Sequence, residues 1–112
     1  MFAGLPVSDY VAAYEWYVGL LGREADMFPH DSEAVWRLTA GGAVYVVHDP
    51  SRAGNGLLTL SVEDLDDYER RFRAAGLSVL ELAAEHAPRR LVVIDPDGNR
   101  LTFFEDPTAI GR

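Results

Sequence analysis

The side chains equipped for chemistry in this sequence are few and scattered. Its imidazoles are His30, His48 and His86, and none has the i, i+4 partner of a helical metal motif. Neutral imidazole is a common metal ligand, but a catalytic ion needs several converging donors and an open coordination position. Paired carboxylates occur at Asp95 and Asp97 and at Glu105 and Asp106. The first pair belongs to a turn, which accounts for it without acid/base catalysis. The absence of cysteine excludes disulfides, thiolate nucleophiles and thiolate metal centres. There is no GxSxG elbow, no phosphate-binding GxxxxGK loop and no HExxH helix, and Gly54-Asn55-Gly56 precedes a strand instead of opening a helix. No catalytic residue is therefore assigned.

These groups sit in 112 residues, a length that fits one domain. A composition of 48% hydrophobic and 25% charged residues is that of a folded soluble chain. Eighteen acids against ten basic residues, all arginine, give a net charge of -8, which disfavours nucleic acid and anionic membrane as partners and would steer a cationic ligand inward. The opening MFAGLPVSD carries neither a basic region nor a long apolar run, so neither a signal peptide nor a membrane span is read there and a cytoplasmic protein is expected.

The elements that must position the candidates repeat. Residues 7–22 and 62–76 each read as strand end, acidic cap, amphipathic helix and terminal glycine. Asp9 and Asp64, 55 residues apart, are the expected N-caps, and Gly22 and Gly76 the left-handed stops. Val11, Tyr14, Trp16, Tyr17, Leu20 and Leu21 form the apolar face of the first helix, and Leu65, Tyr68, Phe72 and Ala75 that of the second. Pairs Asp66/Arg70 and Asp67/Arg71 are expected on the latter. A strand precedes each helix, at 2–7 and 57–62. Three follow it, at about 23–29, 33–39 and 43–49 in the first half and 77–83, 89–95 and 100–105 in the second. Gly41-Gly42 reads as a two-residue hairpin turn and Asp95 to Asn99 as its counterpart. The chain is thus an α+β domain of two βαβββ modules, residues 1–49 and 57–106, joined by a linker at 50–56.

Two such modules, with the phrases LPVSDYVAAYEWYVGLLG, LSVEDL and DPDGNRLTFFED, resemble the vicinal oxygen chelate superfamily of glyoxalase I, extradiol dioxygenases and bleomycin-resistance proteins. The resemblance covers about residues 2–106. It implies curved sheets around a cup, a homodimer with sites near the subunit boundary, and four strand positions that hold His, Gln or Glu in metal-dependent members. Those positions fall at Phe2, Val46, Leu57 and Thr102, none a usual ligand. Counting outward at the strand period of two gives the expected cup lining: Phe2, Gly4, Pro6, Val46, His48, Leu57, Thr59, Ser61, Thr102 and Phe104. With a two-residue turn at Gly41-Gly42, Arg37 pairs with Val46 and also faces inward, to bind a ligand carboxylate, stack on a ring or pair with a neighbouring acid. Trp36 and Tyr45 would then face the helix.

An apolar, aromatic concavity with a few polar groups is how small-molecule sites are built. The expectation is a binder without metal or other cofactor, similar to the bleomycin-resistance branch, that sequesters an aromatic or cationic antibiotic. The alternative is a glyoxalase-, dioxygenase- or isomerase-like enzyme with unusual ligands such as His48 and Glu105.

Overall fold

The computed structural model describes residues 2–38, 42–84 and 87–105. The order is β1 (Phe2–Val7), α1 (Tyr10–Leu21), β2 (Met27–His30), β3 (Glu33–Arg37), β4 (Ala43–His48), then β5 (Leu57–Val62), α2 (Leu65–Ala74), β6 (Leu80–Ala84), β7 (Ala87–Ile94) and β8 (Arg100–Glu105). Each βαβββ module makes its own four-stranded sheet, β1-β4-β3-β2 and β5-β8-β7-β6, curved but not closed. Within each sheet the first strand runs parallel to the last and the remaining pairs are antiparallel.

Both helices start and stop as their caps dictate. Asp9 accepts from the Ala12 amide at 3.2 Å and Asp64 from the Asp67 amide at 3.1 Å, while Gly22 and Gly76 leave the helices at φ 75° and 81°. The α2 start has a second cap, because Glu105 Oε1 accepts from the Leu65 amide at 3.0 Å. Removing the side chain in Asp64→Ala should cost about 1 kcal/mol, read as a lower urea midpoint with an unchanged m-value. In α2, Asp67 takes both Arg70 (2.8 Å) and Arg71 (3.8 Å), whereas Asp66, expected to pair with Arg70, is drawn across to Arg89 on β7.

The helices cover one face of each sheet and share one core. Leu5, Val7, Trp36, Val44 and Val46 of the first sheet, with Tyr17 and Leu20 of α1, join Leu91, Leu101 and Phe103 of the second, with Leu65 and Phe72 of α2. Val11, expected in the apolar face of α1, is 69% exposed instead. Trp36 is fully buried under Tyr14, ring centroids 5.6 Å apart, with its indole N–H donating to the Arg23 carbonyl at 3.0 Å.

The turn Asp95 to Asn99 does more than reverse the chain. Asp95 is buried and accepts from the Asp97 and Asn99 amides, from the Asn99 side chain and, at 2.7 Å, from the Tyr17 hydroxyl of the other module. Asn99, fully buried, donates to the Pro6 carbonyl and accepts from the Gly56 amide, both at 2.7 Å. Gly56 fits beneath it only because it lacks a side chain: a Cβ there would lie 2.8 Å from Asn99 Oδ1 and 2.9 Å from Leu5 Cδ2. The linker glycines therefore pack against a clasp that joins the two modules.

Candidate ligand-binding site

The face of each sheet turned away from the helices, here the open face, is where the cup lining has to lie. In the second module the expected residues are on it. Leu57, Thr59 and Ser61 pair with Arg100, Thr102 and Phe104, opposite in parity to the core residues Leu101 and Phe103. Leu57 is 80% exposed, and Ile94 and Leu80 further along the same face are also exposed. Val92 lies between Ile94 and Leu80, and these three with Arg100, Ser78 and Val79 line a concavity of about 350 Å³.

In the first module Phe2, Gly4 and Pro6 share the open face, but the β4 residues named from the sequence do not. Leu5 pairs with Val46, and both are buried in the helix-facing core; His48 pairs with Val7 on that same side. Tyr45, expected to face the helix, lies on the open face instead, its ring so close over Gly4 that a Cβ there would fall 2.7 Å from Tyr45 Cε2. The cause is the register. Phe2 and Leu57 are 55 apart, whereas their strand partners Ala43 and Arg100 are 57 apart, so the repeat mate of Thr102 is Tyr45 and not Val46. A slip of one residue turns a whole strand over.

Arg37 reaches the open face by another route. It pairs with Ala43, not Val46, because β3 ends at Arg37 and β4 begins at Ala43, and the Leu38 amide donates to Gly42 O at 3.0 Å; Gly41, named with Gly42 for the turn, lies outside the described residues. Since Ala43 is itself an open-face residue, Arg37 points where expected. Its guanidinium lies 3.6 Å from Met27 Sδ.

With the register corrected, the four repeat-related strand positions to which the resemblance points are Phe2, Tyr45, Leu57 and Thr102. Two hydrocarbons, a phenol and an alcohol do not suit a divalent ion that prefers imidazole or carboxylate. Among the described residues no group of three or more His, Asp or Glu is placed to hold a metal. His30 instead contacts Glu33 at 2.7 Å, and His86 lies outside the described residues. His48 and Glu105 end matching strands in different sheets, and Glu105 is engaged in capping α2.

Two further concavities are formed by described residues, and the smaller of them reaches the open-face residues Thr59 and Ser61. One of about 650 Å³ sits between α1 and β2, lined by Tyr10, Tyr14, Phe28 and Asp31 among others, and one of about 250 Å³ sits at the module junction beside Leu21, Leu38 and Tyr68. The first is the larger, yet it lies on the outer edge, away from the repeated strand positions.

Fold and site together define a class. The chain matches the model of the Glyoxalase/Bleomycin resistance protein/Dioxygenase superfamily over residues 2–103 and belongs to that superfamily. A glyoxalase / bleomycin resistance protein from Catenulispora acidiphila DSM 44928 is 39% identical, with 96% of this chain and 97% of that one covered at a TM-score of 0.91. The fold is also that of TnmS3, an antibiotic binding protein from Streptomyces sp. CB03234 (23% identity, 93% and 92% covered, TM-score 0.73). The bleomycin-binding protein complexed with bleomycin shares it as well (17%, 95% and 97%, 0.77). No curated protein matches the sequence.

Proposed function

We propose that this protein is a metal-free, small-molecule binding member of its superfamily, which sequesters an aromatic antibiotic-type compound instead of transforming it. The observation that carries this reading is the set Phe2, Tyr45, Leu57 and Thr102 at the repeated strand positions: apolar and hydroxyl-bearing, suited to an aromatic ligand and not to a metal ion. Relatives of the same fold described as antibiotic binding proteins support it. The working unit is a cytoplasmic homodimer, in which a second copy covers apolar side chains such as Phe2 and Leu57 that are 57% and 80% exposed in the single chain.

The test is a thermal-shift titration of chelator-stripped protein, first with Fe²⁺, Mn²⁺, Ni²⁺ and Zn²⁺ and then with a panel of aromatic natural products. A specific ligand at about 100 times its Kd adds about 2.7 kcal/mol, or roughly 8 °C in a domain of this size. The expected result is no saturable shift with any metal and one of that size with an aromatic compound. A saturable metal shift would replace this reading with a metal-dependent enzyme.

A further inference from the structure

The distribution of arginine divides this molecule in two. Six described arginines outside the open faces each meet a carboxylate: Arg23 meets Asp26 (2.8 Å), Arg52 meets Asp49 (3.7 Å) and Arg73 meets Glu69 (2.9 Å). Arg70 and Arg71 share Asp67, and Arg89 bridges Asp66, Glu69 and Glu81. The other three are Arg37, Arg90 and Arg100, and all stand on open faces, opposite Ala43, Phe104 and Leu57 respectively. None has a carboxylate within 4.0 Å among the described residues. The neighbours Arg89 and Arg90 show the division most sharply, since one step along β7 separates a side chain held by three acids from one facing Phe104 and Leu82.

In a chain of net charge -8 this is the reverse of what chance pairing would leave. The other described charge on these faces is Glu33, opposite Val47, and His30 already contacts it. Asp26 bonds the Arg37 amide rather than its guanidinium, and its second oxygen is taken by Arg23; those contacts, with the Arg23 and Arg37 charges nearby, hold its carboxyl below the usual range. Arg100 forms part of the wall of the 350 Å³ concavity, beside Val92, Ile94 and Leu80. Arg90 lies on the same face, four residues from Ile94 along β7, which is about 13 Å of strand. The apolar concavity therefore has one arginine, Arg100, in its wall, with Arg90 farther along the same face and Arg37 on the open face of the other sheet, and the flat fork of a guanidinium suits bidentate binding of an oxyanion and stacking on a ring.

We propose that the molecule bound on the open faces is an anion, an aromatic or apolar body bearing a carboxylate, sulfonate or phosphate, recognised by Arg37, Arg90 and Arg100. This inference rests on the small-molecule binding reading above, and it reverses the cationic ligand expected from net charge, because the acidic surplus lies elsewhere.

The experiment uses two fluorescent probes with one aromatic body, 8-anilinonaphthalene-1-sulfonate and its uncharged parent N-phenyl-1-naphthylamine. The triple variant Arg37→Gln/Arg90→Gln/Arg100→Gln should raise the Kd of the sulfonate about tenfold and leave that of the parent within twofold. The control triple Arg52→Gln/Arg70→Gln/Arg73→Gln makes the same charge change off the open faces and should leave both unchanged. If the open-face triple moves both probes together or neither, or if the control weakens the sulfonate equally, anion recognition is overturned while the binding reading stands. If the wild-type protein binds neither probe, the binding reading fails and this inference falls with it.

Discussion

Asp95→Ala should remove a large part of the stability of this protein. The carboxylate is 4% exposed and accepts four hydrogen bonds, of which those from the Tyr17 hydroxyl (2.7 Å) and the Asn99 side chain (2.8 Å) come from fully buried residues. Leaving a buried donor unsatisfied costs about 1–3 kcal/mol, so two such donors set a loss of about 4 kcal/mol. That compares with a total of about 5–15 kcal/mol for an ordinary domain, and should lower Tm by roughly 15 °C. The damage is not confined to one turn, since Asn99 also holds Pro6 and Gly56, and its side chain is oriented by Asp95. Ser8→Ala is the matched control: Ser8 bonds Asp97 of the same turn, but at an exposed position, and should cost under about 0.5 kcal/mol. Urea denaturation followed by tryptophan fluorescence separates the two. A loss below about 1 kcal/mol for Asp95→Ala would show that the clasp does not hold the modules together.

The clasp marks the boundary of what pattern reading extracts from this chain. Period-two alternation located β1, β5 and β8 at 2–7, 57–62 and 100–105, and the caps and glycines located both helices, because each signal is local. The same local signals set the second open face, since the turn Asp95 to Asn99 fixes how β7 meets β8. In the first module the glycine spacing, Gly42 to Gly98, gives an offset of 56, one short of the 57 that relates β4 to β8, and a slip of one place puts Val46 and His48 on the wrong face and Tyr45 off the right one. Arg37 was placed correctly because the error in its pairing and the slip in β4 cancel in parity. DPDGN reads as a turn in sequence, while its side chains act on Pro6 and Tyr17 some eighty to ninety residues away, a relation no periodicity encodes. The arginine division is hidden for a related reason: Arg89 and Arg90 are the same letter, and only the fold assigns one to the acids of α2 and the other to an open face.

The same clasp should make the protein sensitive to alkali. Burial, followed by the neighbouring Asp95 charge and the hydrogen bond to it, pushes the Tyr17 phenol far above its ordinary value of 10.0. A group whose folded-state pKa is raised contributes stability that is complete below the unfolded value, here about pH 10, and is lost as pH climbs beyond it, because only the unfolded chain releases the proton. The slope is about 1.4 kcal/mol per pH unit, giving roughly 2.7 kcal/mol by pH 12. Tyr17→Phe loses the hydrogen bond to a carboxylate and should be about 2 kcal/mol less stable at pH 7, but it carries no titrating proton. The gap between wild type and variant should therefore stay constant from pH 7 to about 9, narrow above 10, close at about 11.5 and be slightly reversed by pH 12. Chemical denaturation of both proteins at each pH measures the gap directly, and arginine remains charged throughout, so the open faces do not contribute to the change. A gap that stayed at 2 kcal/mol up to pH 12 would mean that water reaches Tyr17 in the folded state and that the module joint opens without unfolding the sheets on either side of it.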